Sequence, residues 1–164
     1  MLLSHSTKLR MFDRIRMLFG GAPCAAQAAA LVWRRRNGGG IEILLVTSRD
    51  TGRWVLPKGW PERGEELWFT AEREAMEEAG VSGTIAREPY GSYYYGKGLA
   101  EGMRLPCEVQ VFALEASSVA KDWPEKRQRK RVWYEPAEAA ALVREPDLGE
   151  LIGSFADNPR LMAA

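Results

Sequence analysis

One histidine and two cysteines are all that this 164-residue chain offers to metal chemistry built on nitrogen or sulfur. His5 stands alone near the N-terminus, which argues against a histidine-ligated metal centre and against a Ser–His triad. Neither Cys24 nor Cys107 has a metal-ligating neighbour at useful spacing, and two cysteines make no disulfide framework. Their scarcity fits a reducing compartment. Charge of one sign is missing too: the net charge is +1, so no global field selects a partner. No internal repeat and no low-complexity linker is present. No stretch is long and apolar enough to span a membrane, which takes about 20 residues.

What is present suits one domain of ordinary size. Hydrophobic residues make up 46% of the chain, enough for a packed core. Lys8, Arg10, Arg14 and Arg16 precede a mostly apolar stretch from Leu18 to Trp33, an order that resembles a signal peptide. Gly20, Gly21, Pro23 and Gln27 interrupt that stretch, and its many alanines leave it weakly hydrophobic. The domain also needs part of it as a strand, so a cytoplasmic protein is expected. Residues 1–20 are read as a basic arm or short helix and residues 21–164 as the domain. Residues 8–19 fit either a short amphipathic helix or a loose arm.

Strands are expected at 25–33, at 41–47 after the Asn37-Gly38-Gly39-Gly40 turn, at 54–56 up to Pro57, and at 81–85. Further strands are expected at 90–95, 104–114 and 132–134, with Pro106 arguing for an edge or bulge. The first two form a hairpin. A helix is expected from Leu67 to Ala79, with Trp68, Ala71, Ala75 and Ala79 toward the core, and Gly80 ends it. Two more helices are expected, from Pro136 to about Leu142 and from Asp147 to about Phe155. The segment from Lys58 to Glu65 reads as a loop. The whole is a mixed α and β pattern.

The central helix carries the chemistry. Glu74, Glu77 and Glu78 are three and four positions apart, so their carboxylates share one face. Like charges at close range raise the proton affinity of one of them or call in a cation. Hard oxygen donors of this kind suit Mg2+ or Mn2+. A plain solvated amphipathic helix is the bland alternative. It explains neither Gly59 and Glu65 in the preceding loop nor the lack of lysine on the acidic face.

Gly59, Glu65, Arg73, Glu74, Glu77, Glu78, Gly80 and Val81 stand at the spacing G-x5-E-x7-R-E-U-x-E-E-x-G-U, where U is aliphatic. The segment thereby resembles the Nudix box; Ala75 departs mildly, standing where a bulkier aliphatic is usual. The resemblance implies an α+β fold, the Nudix α/β/α sandwich with a mixed central sheet. It also implies metal-dependent hydrolysis of a phosphoanhydride bond. Glu74, Glu77 and Glu78 are then the catalytic residues and metal ligands. The Gly59 carbonyl is implied as a further ligand, and Glu65 is expected to hold a metal directly or through water. Arg73 is implied to make a structural ion pair with a box glutamate. Which glutamate is the general base stays open.

Ser48-Arg49, Trp54 to Gly59, Trp123-Pro124-Glu125 and the run from Arg129 to Tyr134 resemble the diphosphoinositol polyphosphate phosphohydrolase branch, which also cleaves diadenosine polyphosphates. Trp60 departs from that branch, which has a second glycine there. The candidate substrate contacts are Arg49, Lys58, Arg129, Lys130 and Arg131 for phosphates and Trp60 for a base or the pocket wall. The expected partner is therefore an anionic small molecule with a phosphate chain, neither a membrane nor nucleic acid. Alternatives are a nucleotide or RNA 5′-end pyrophosphohydrolase, or a ligand sensor that kept the fold and lost the chemistry.

Overall fold

The structure is a computed structural model that describes residues 25–98 and 104–158. The basic arm, Cys24 and most of the glycine turn after Lys97 lie outside the described residues. The strands are β1 (Ala25–Arg35), β2 (Ile41–Thr47), β3 (Trp54–Val55), β4 (Lys58–Gly59), β5 (Val81–Ile85), β6 (Gly91–Gly98), β7 (Arg104–Val119) and β8 (Arg131–Tyr134). The helices are α1 (Leu67–Ala79), α2 (Pro136–Leu142) and α3 (Pro146–Phe155).

The sheet is mixed. Its main path runs β3-β2-β1-β7-β5, with β4 against β1, β6 against β7 and β8 against β2. The parallel pair is β1 with β7, registered from Ala25↔Cys107 to Trp33↔Glu115. The expected β1–β2 hairpin is antiparallel, closing on Arg35↔Ile41. Gly38, Gly39 and Gly40 in its turn all hold positive φ, a conformation that side chains with a Cβ rarely adopt. β7 runs five residues past the expected end, because β6 pairs its first half and β5 its second. Its registered pairing with β1 begins just after Pro106, so the missing N–H of that proline costs no bond in that ladder.

Period-two alternation sorts β1 between two cores. Ala28, Ala30 and Val32 face one side, with Ala71, Ala75 and Ala79 of α1. Ala29, Leu31 and Trp33 face the other, with Ala139, Val143, Leu148, Ile152 and Phe155 from α2, α3 and their link. Helices thus cover both faces of the sheet, an α+β sandwich.

β4 has no counterpart in the sequence reading, which made it loop. Its two residues pair with Ala28 and Ala29 of β1. The neighbouring Ala30 N–H donates to the Pro57 carbonyl at 2.9 Å. The edge of β1 that β2 leaves uncovered is what draws this segment in, since unpaired backbone groups at a buried edge are costly.

The carboxyl end of α1 is wrapped by residues 120–131. The Glu77 carbonyl accepts from the Glu125 N–H at 3.1 Å, the Glu78 carbonyl from Trp123 Nε1 at 3.2 Å, and the Ala79 carbonyl from Arg131 Nη1 at 2.5 Å. A helix leaves its last carbonyls without intrahelical partners, and this segment supplies them. Gly80 closes the helix at φ 63°, and a Cβ there would stand 2.8 Å from Trp123.

Where β5 bulges between Ser82 and Gly83, the chain passes so close to β7 that a Cβ on Gly83 would lie 1.8 Å from the Glu115 carbonyl oxygen. Gly83→Ala therefore lowers stability by about 1–3 kcal/mol, the usual cost of forced backbone shifts. Urea denaturation checks this, and an unchanged midpoint would show that the bulge opens freely.

Candidate active site

A cleft of about 930 Å³ opens where β4, the amino-terminal half of the sheet edge and α1 meet. Glu74, Glu77 and Glu78 of α1 line it together with Gly59 and Trp60. Arg49, Arg53, Lys58, Arg129 and Arg144 bring positive charge to the same space.

Two short approaches fix the carboxylates against β4. Glu78 Oε2 accepts from the Lys58 backbone N–H at 3.1 Å. The Glu74 carboxylate sits over Gly59 so closely that a Cβ there would fall 2.0 Å from Oε1. Only a residue without a side chain leaves room for both the carboxylate and the Gly59 backbone.

Arg73 gathers the other acids. It donates from Nε to Glu65 Oε1 at 2.9 Å and from Nη2 to Glu65 Oε2 at 3.1 Å. Nη1 reaches Glu74 at 2.9 Å and Glu77 at 3.2 Å, and Nη2 also donates to the Trp60 carbonyl at 3.0 Å. The box arginine is thus a structural clasp between loop and helix. Glu65 accepts in addition from Thr70 Oγ1 at 2.8 Å and from the Glu62 N–H at 2.9 Å.

The acids differ in proton affinity. Hydrogen bonds from Arg73 hold the Glu65 carboxyl down at about 2, helped by the Glu62 N–H and Thr70 against the cost of burial. Burial pushes the Glu78 carboxyl up to about 7, against the pull of Arg129 and with the Glu74 charge adding to the rise. Burial likewise raises Glu74, with Arg73 opposing and the charges of Glu77 and Glu125 reinforcing it. Glu65 is therefore firmly ionised, while Glu74 and Glu78 hold a proton more readily than ordinary carboxyls, a preference that a nearby cation would reverse.

The sequence pattern of the NUDIX domain matches residues 25–154, a span that holds the whole sheet and the cleft. The chain belongs to the Nudix family. Among its relatives, Nudix hydrolase 12, mitochondrial, of Arabidopsis thaliana is 35% identical over 107 residues, covering 63% of this chain and 53% of the relative. Nudix hydrolase 21, chloroplastic, of the same plant is 32% identical over 124 residues, covering 75% and 61%. The chain spans about half the length of the curated relatives it matches. The structure of a C. elegans Ap4A hydrolase binary complex superposes with a TM-score of 0.63 at 25% identity, covering 81% of this chain and 96% of that one. The E. coli dihydroneopterin triphosphate pyrophosphohydrolase shares the fold at 18% identity and a TM-score of 0.64. The organelle names of the plant relatives lend no support to the cytoplasmic expectation. Among the described residues, no helix is long and apolar enough to cross a membrane.

Against this Nudix frame, the cleft brings together Gly59, Glu74, Glu77, Glu78, Arg49, Lys58, Trp60 and Arg129. It does not bring in Glu65, whose two oxygens are engaged by Arg73, Thr70 and the Glu62 N–H. Glu65, expected near a metal, holds Arg73, which in turn reaches Glu74 and Glu77. Arg131, expected at the phosphates, is turned away. It donates to the Ala79 and Ala120 carbonyls, its guanidinium stacks 3.9 Å over the Trp123 ring, and it serves as a cap for α1. Lys130 does not line the cleft, and its backbone clasps Thr47 through N–H to Oγ1 at 2.9 Å and the returning Thr47 N–H at 3.1 Å. The strand expected at 132–134 begins one residue earlier, at Arg131, so Arg129 and Lys130 lie outside it and do not share a strand face with Arg131.

Arg53 and Arg144 line the cleft without having been singled out in the sequence. Arg53 pairs with Glu145, which also lines the cleft, at 3.0 Å. No local pattern marks them, because the link between α2 and α3 reaches the cleft only through the fold.

Among the described residues, no three acidic side chains form a ready-made metal cage. Their oxygens are instead tied to Arg73, Arg129 and the Lys58 N–H. The donor set itself fits a hard divalent ion: carboxylate oxygens beside a glycine backbone that no Cβ screens.

Glu65 is ionised more readily folded than unfolded, since its carboxyl lies near 2 against an ordinary 4.5. Its contribution to stability is present above about pH 4.5 and is lost as the pH falls toward 2. Glu65→Gln lowers stability by about 2 kcal/mol at pH 7, the scale of charge-assisted hydrogen bonds. The gap to wild type narrows as urea midpoints are taken down to pH 3. A gap independent of pH would mean that the Arg73 clasp does not depend on this charge.

Proposed function

We propose that this chain hydrolyses a phosphoanhydride bond in a nucleotide-linked or polyphosphorylated substrate, with a divalent ion, Mg2+ or Mn2+, as cofactor. The observation that carries the reading is one cleft lined both by the acidic Glu74, Glu77 and Glu78 and by the cationic Arg49, Arg53, Lys58 and Arg144. An acidic wall alone attracts cations, and a basic wall alone attracts any anion. Both together suit a metal–phosphate substrate.

Glu74, Glu77 and Glu78, with the Gly59 carbonyl, would hold the metal. When bound there, a divalent ion polarises phosphoryl oxygens and lowers the pKa of a coordinated water. Burial raises the proton affinity of Glu78, with the Glu74 charge adding to the rise, so a cation bound beside it would relieve both costs. Lys58 and Arg49 orient the phosphates, Arg49 as a planar fork and Lys58 as a point charge. Trp60, half-buried beside Gly59, offers a ring on which a base can stack.

The preferred substrates are dinucleoside polyphosphates or inositol pyrophosphates. Two observations support that branch: several cationic groups line a roomy cleft, and the C. elegans relative of similar structure is named an Ap4A hydrolase. A reducing compartment, the cytoplasm or an organelle matrix, is proposed alongside, since two cysteines in 164 residues make no disulfide framework.

Phosphate-product release is measured with Mg2+ on diadenosine tetra-, penta- and hexaphosphate, an inositol pyrophosphate, ADP-ribose and 8-oxo-dGTP. Turnover of the long polyphosphates or the inositol substrate is expected. Glu77→Gln should lose on the order of a hundredfold or more in kcat, the scale of metal-assisted or general-base catalysis, while its thermal melt stays near wild type. Preference for the short nucleotides would overturn the branch. No turnover of any substrate would replace the enzyme by a ligand sensor. Gly59→Ala should likewise lose at least about tenfold in kcat with little change in melting, because its Cβ pushes the Glu74 carboxylate off the Gly59 backbone. Unchanged kcat in that variant would free Glu74 from the geometry given above.

A further inference from the structure

Arg129, expected at the phosphates, turns its guanidinium into the protein. Its side chain is only 6% exposed although it borders the cleft. Each nitrogen of its guanidinium has a protein acceptor. Nη1 donates to the Thr47 carbonyl at 2.9 Å, Nε donates to Glu125 Oε2 at 2.5 Å, and Nη2 donates to Glu78 Oε1. Glu125 is a four-residue neighbour on the same segment and is itself mostly buried. Glu78 is held on its second oxygen by the Lys58 N–H. Both oxygens of this carboxylate are therefore fixed, one by β4 and one by Arg129.

A guanidinium with its donors directed inward in this way is poorly placed to grip a phosphate chain. It is well placed to do two other things. It fixes the plane of the Glu78 carboxylate, and it supplies the positive charge that a buried carboxylate needs when no other cation is near. A divalent ion that takes Glu78 as ligand must share or replace that charge.

We propose that Arg129 is the resident counter-ion of Glu78: a positioning residue that orients this carboxylate and competes with the divalent metal for it, rather than a substrate contact. This rests on the reading of Glu78 as a metal ligand. Two consequences separate it from a merely structural arginine. Removing the guanidinium makes the metal bind more tightly, because Glu78 and Glu125 then lack a compensating charge. The same change slows turnover, because Glu78 loses one of the two bonds that orient it. An arginine needed only for folding would weaken metal binding and turnover together.

The test is Mn2+ titrated alone into the full chain, followed by calorimetry, for wild type, Arg129→Ala, Arg129→Gln and Arg129→Lys. Arg129→Gln keeps a donor for the Thr47 carbonyl and guards against loss of fold in the alanine variant. The neutral variants should bind Mn2+ about tenfold more tightly, the scale of one charge-assisted hydrogen bond, and Arg129→Lys should stay near wild type. In parallel, kcat should fall about tenfold or more in the neutral variants, with KM changed equally for short and long phosphate chains. Unchanged or weaker Mn2+ affinity in both neutral variants would overturn the proposal. So would a KM that rises with chain length, which would return Arg129 to the substrate. Wild type that binds no Mn2+ would instead bring down the metal reading of the site, and the counter-ion role with it.

Discussion

Five carboxylates are packed around one helix end, and two guanidinium groups make that arrangement possible. Arg73 bridges Glu65, Glu74 and Glu77; Arg129 bridges Glu78 and Glu125. At about 4 Å, two unit charges in a medium of effective dielectric near 20 interact by roughly 4 kcal/mol, so an uncompensated cluster of this size would unwind or protonate. Buried ion pairs add little net stability once desolvation is counted. What they supply here is placement. Each arginine joins α1 to a different flank, Arg73 to the box loop through Glu65 and the Trp60 carbonyl, Arg129 to β2 through the Thr47 carbonyl.

Placement to this tolerance also needs the helix close to the sheet. The interface between α1 and β1 is alanine on alanine: Ala71, Ala75 and Ala79 against Ala28 and Ala30. Larger side chains would lift the helix away from β4, and the bond from the Lys58 N–H to Glu78 would be lost. The mild departure at Ala75 from the bulkier residue usual in the box belongs to this close packing. So does Gly59, where the carboxylate of Glu74 occupies the space a side chain would take. Small residues in the core and charged residues at the surface are two sides of one constraint.

Much of this was legible in the sequence. β2 and β5 were legible to the residue and α1 and the helix from Pro136 to within about one, because each carries a clear period and a stop such as Gly80 or a start such as Pro136. The convergence of Glu74, Glu77 and Glu78 followed from helical steps. The parts that were not legible depend on contacts between distant segments. β4 is two residues long and has no period, and only the open edge of β1 makes it a strand. Arg129 and Arg131 looked alike in a basic run. One turns inward to Glu78 and the other caps the end of α1, and their different fates are decided by a helix some fifty positions earlier in the chain. Arg53 and Arg144 carried no signal at all.

That redistribution of charge bears on how substrate choice is built. The wall made by α1 and β4 is tied together: Arg73 holds Glu74 and Glu77, and Arg129 and the Lys58 N–H hold Glu78. The opposing cations come from elsewhere. Arg49 and Arg53 lie in the loop between β2 and β3, and Arg144 lies in the link between α2 and α3. These segments border the cleft without forming the core, so their length and charge can vary at little cost to the packed sheet. The Nudix box therefore lies on the fixed wall of the cleft, whereas the cations of the outer loops lie on the part that can vary. Arg53 ties the two loops together by its pair with Glu145. Arg53 and Glu145 both line the cleft, so this one pair joins the packing of the two loops to the charge that the cleft presents.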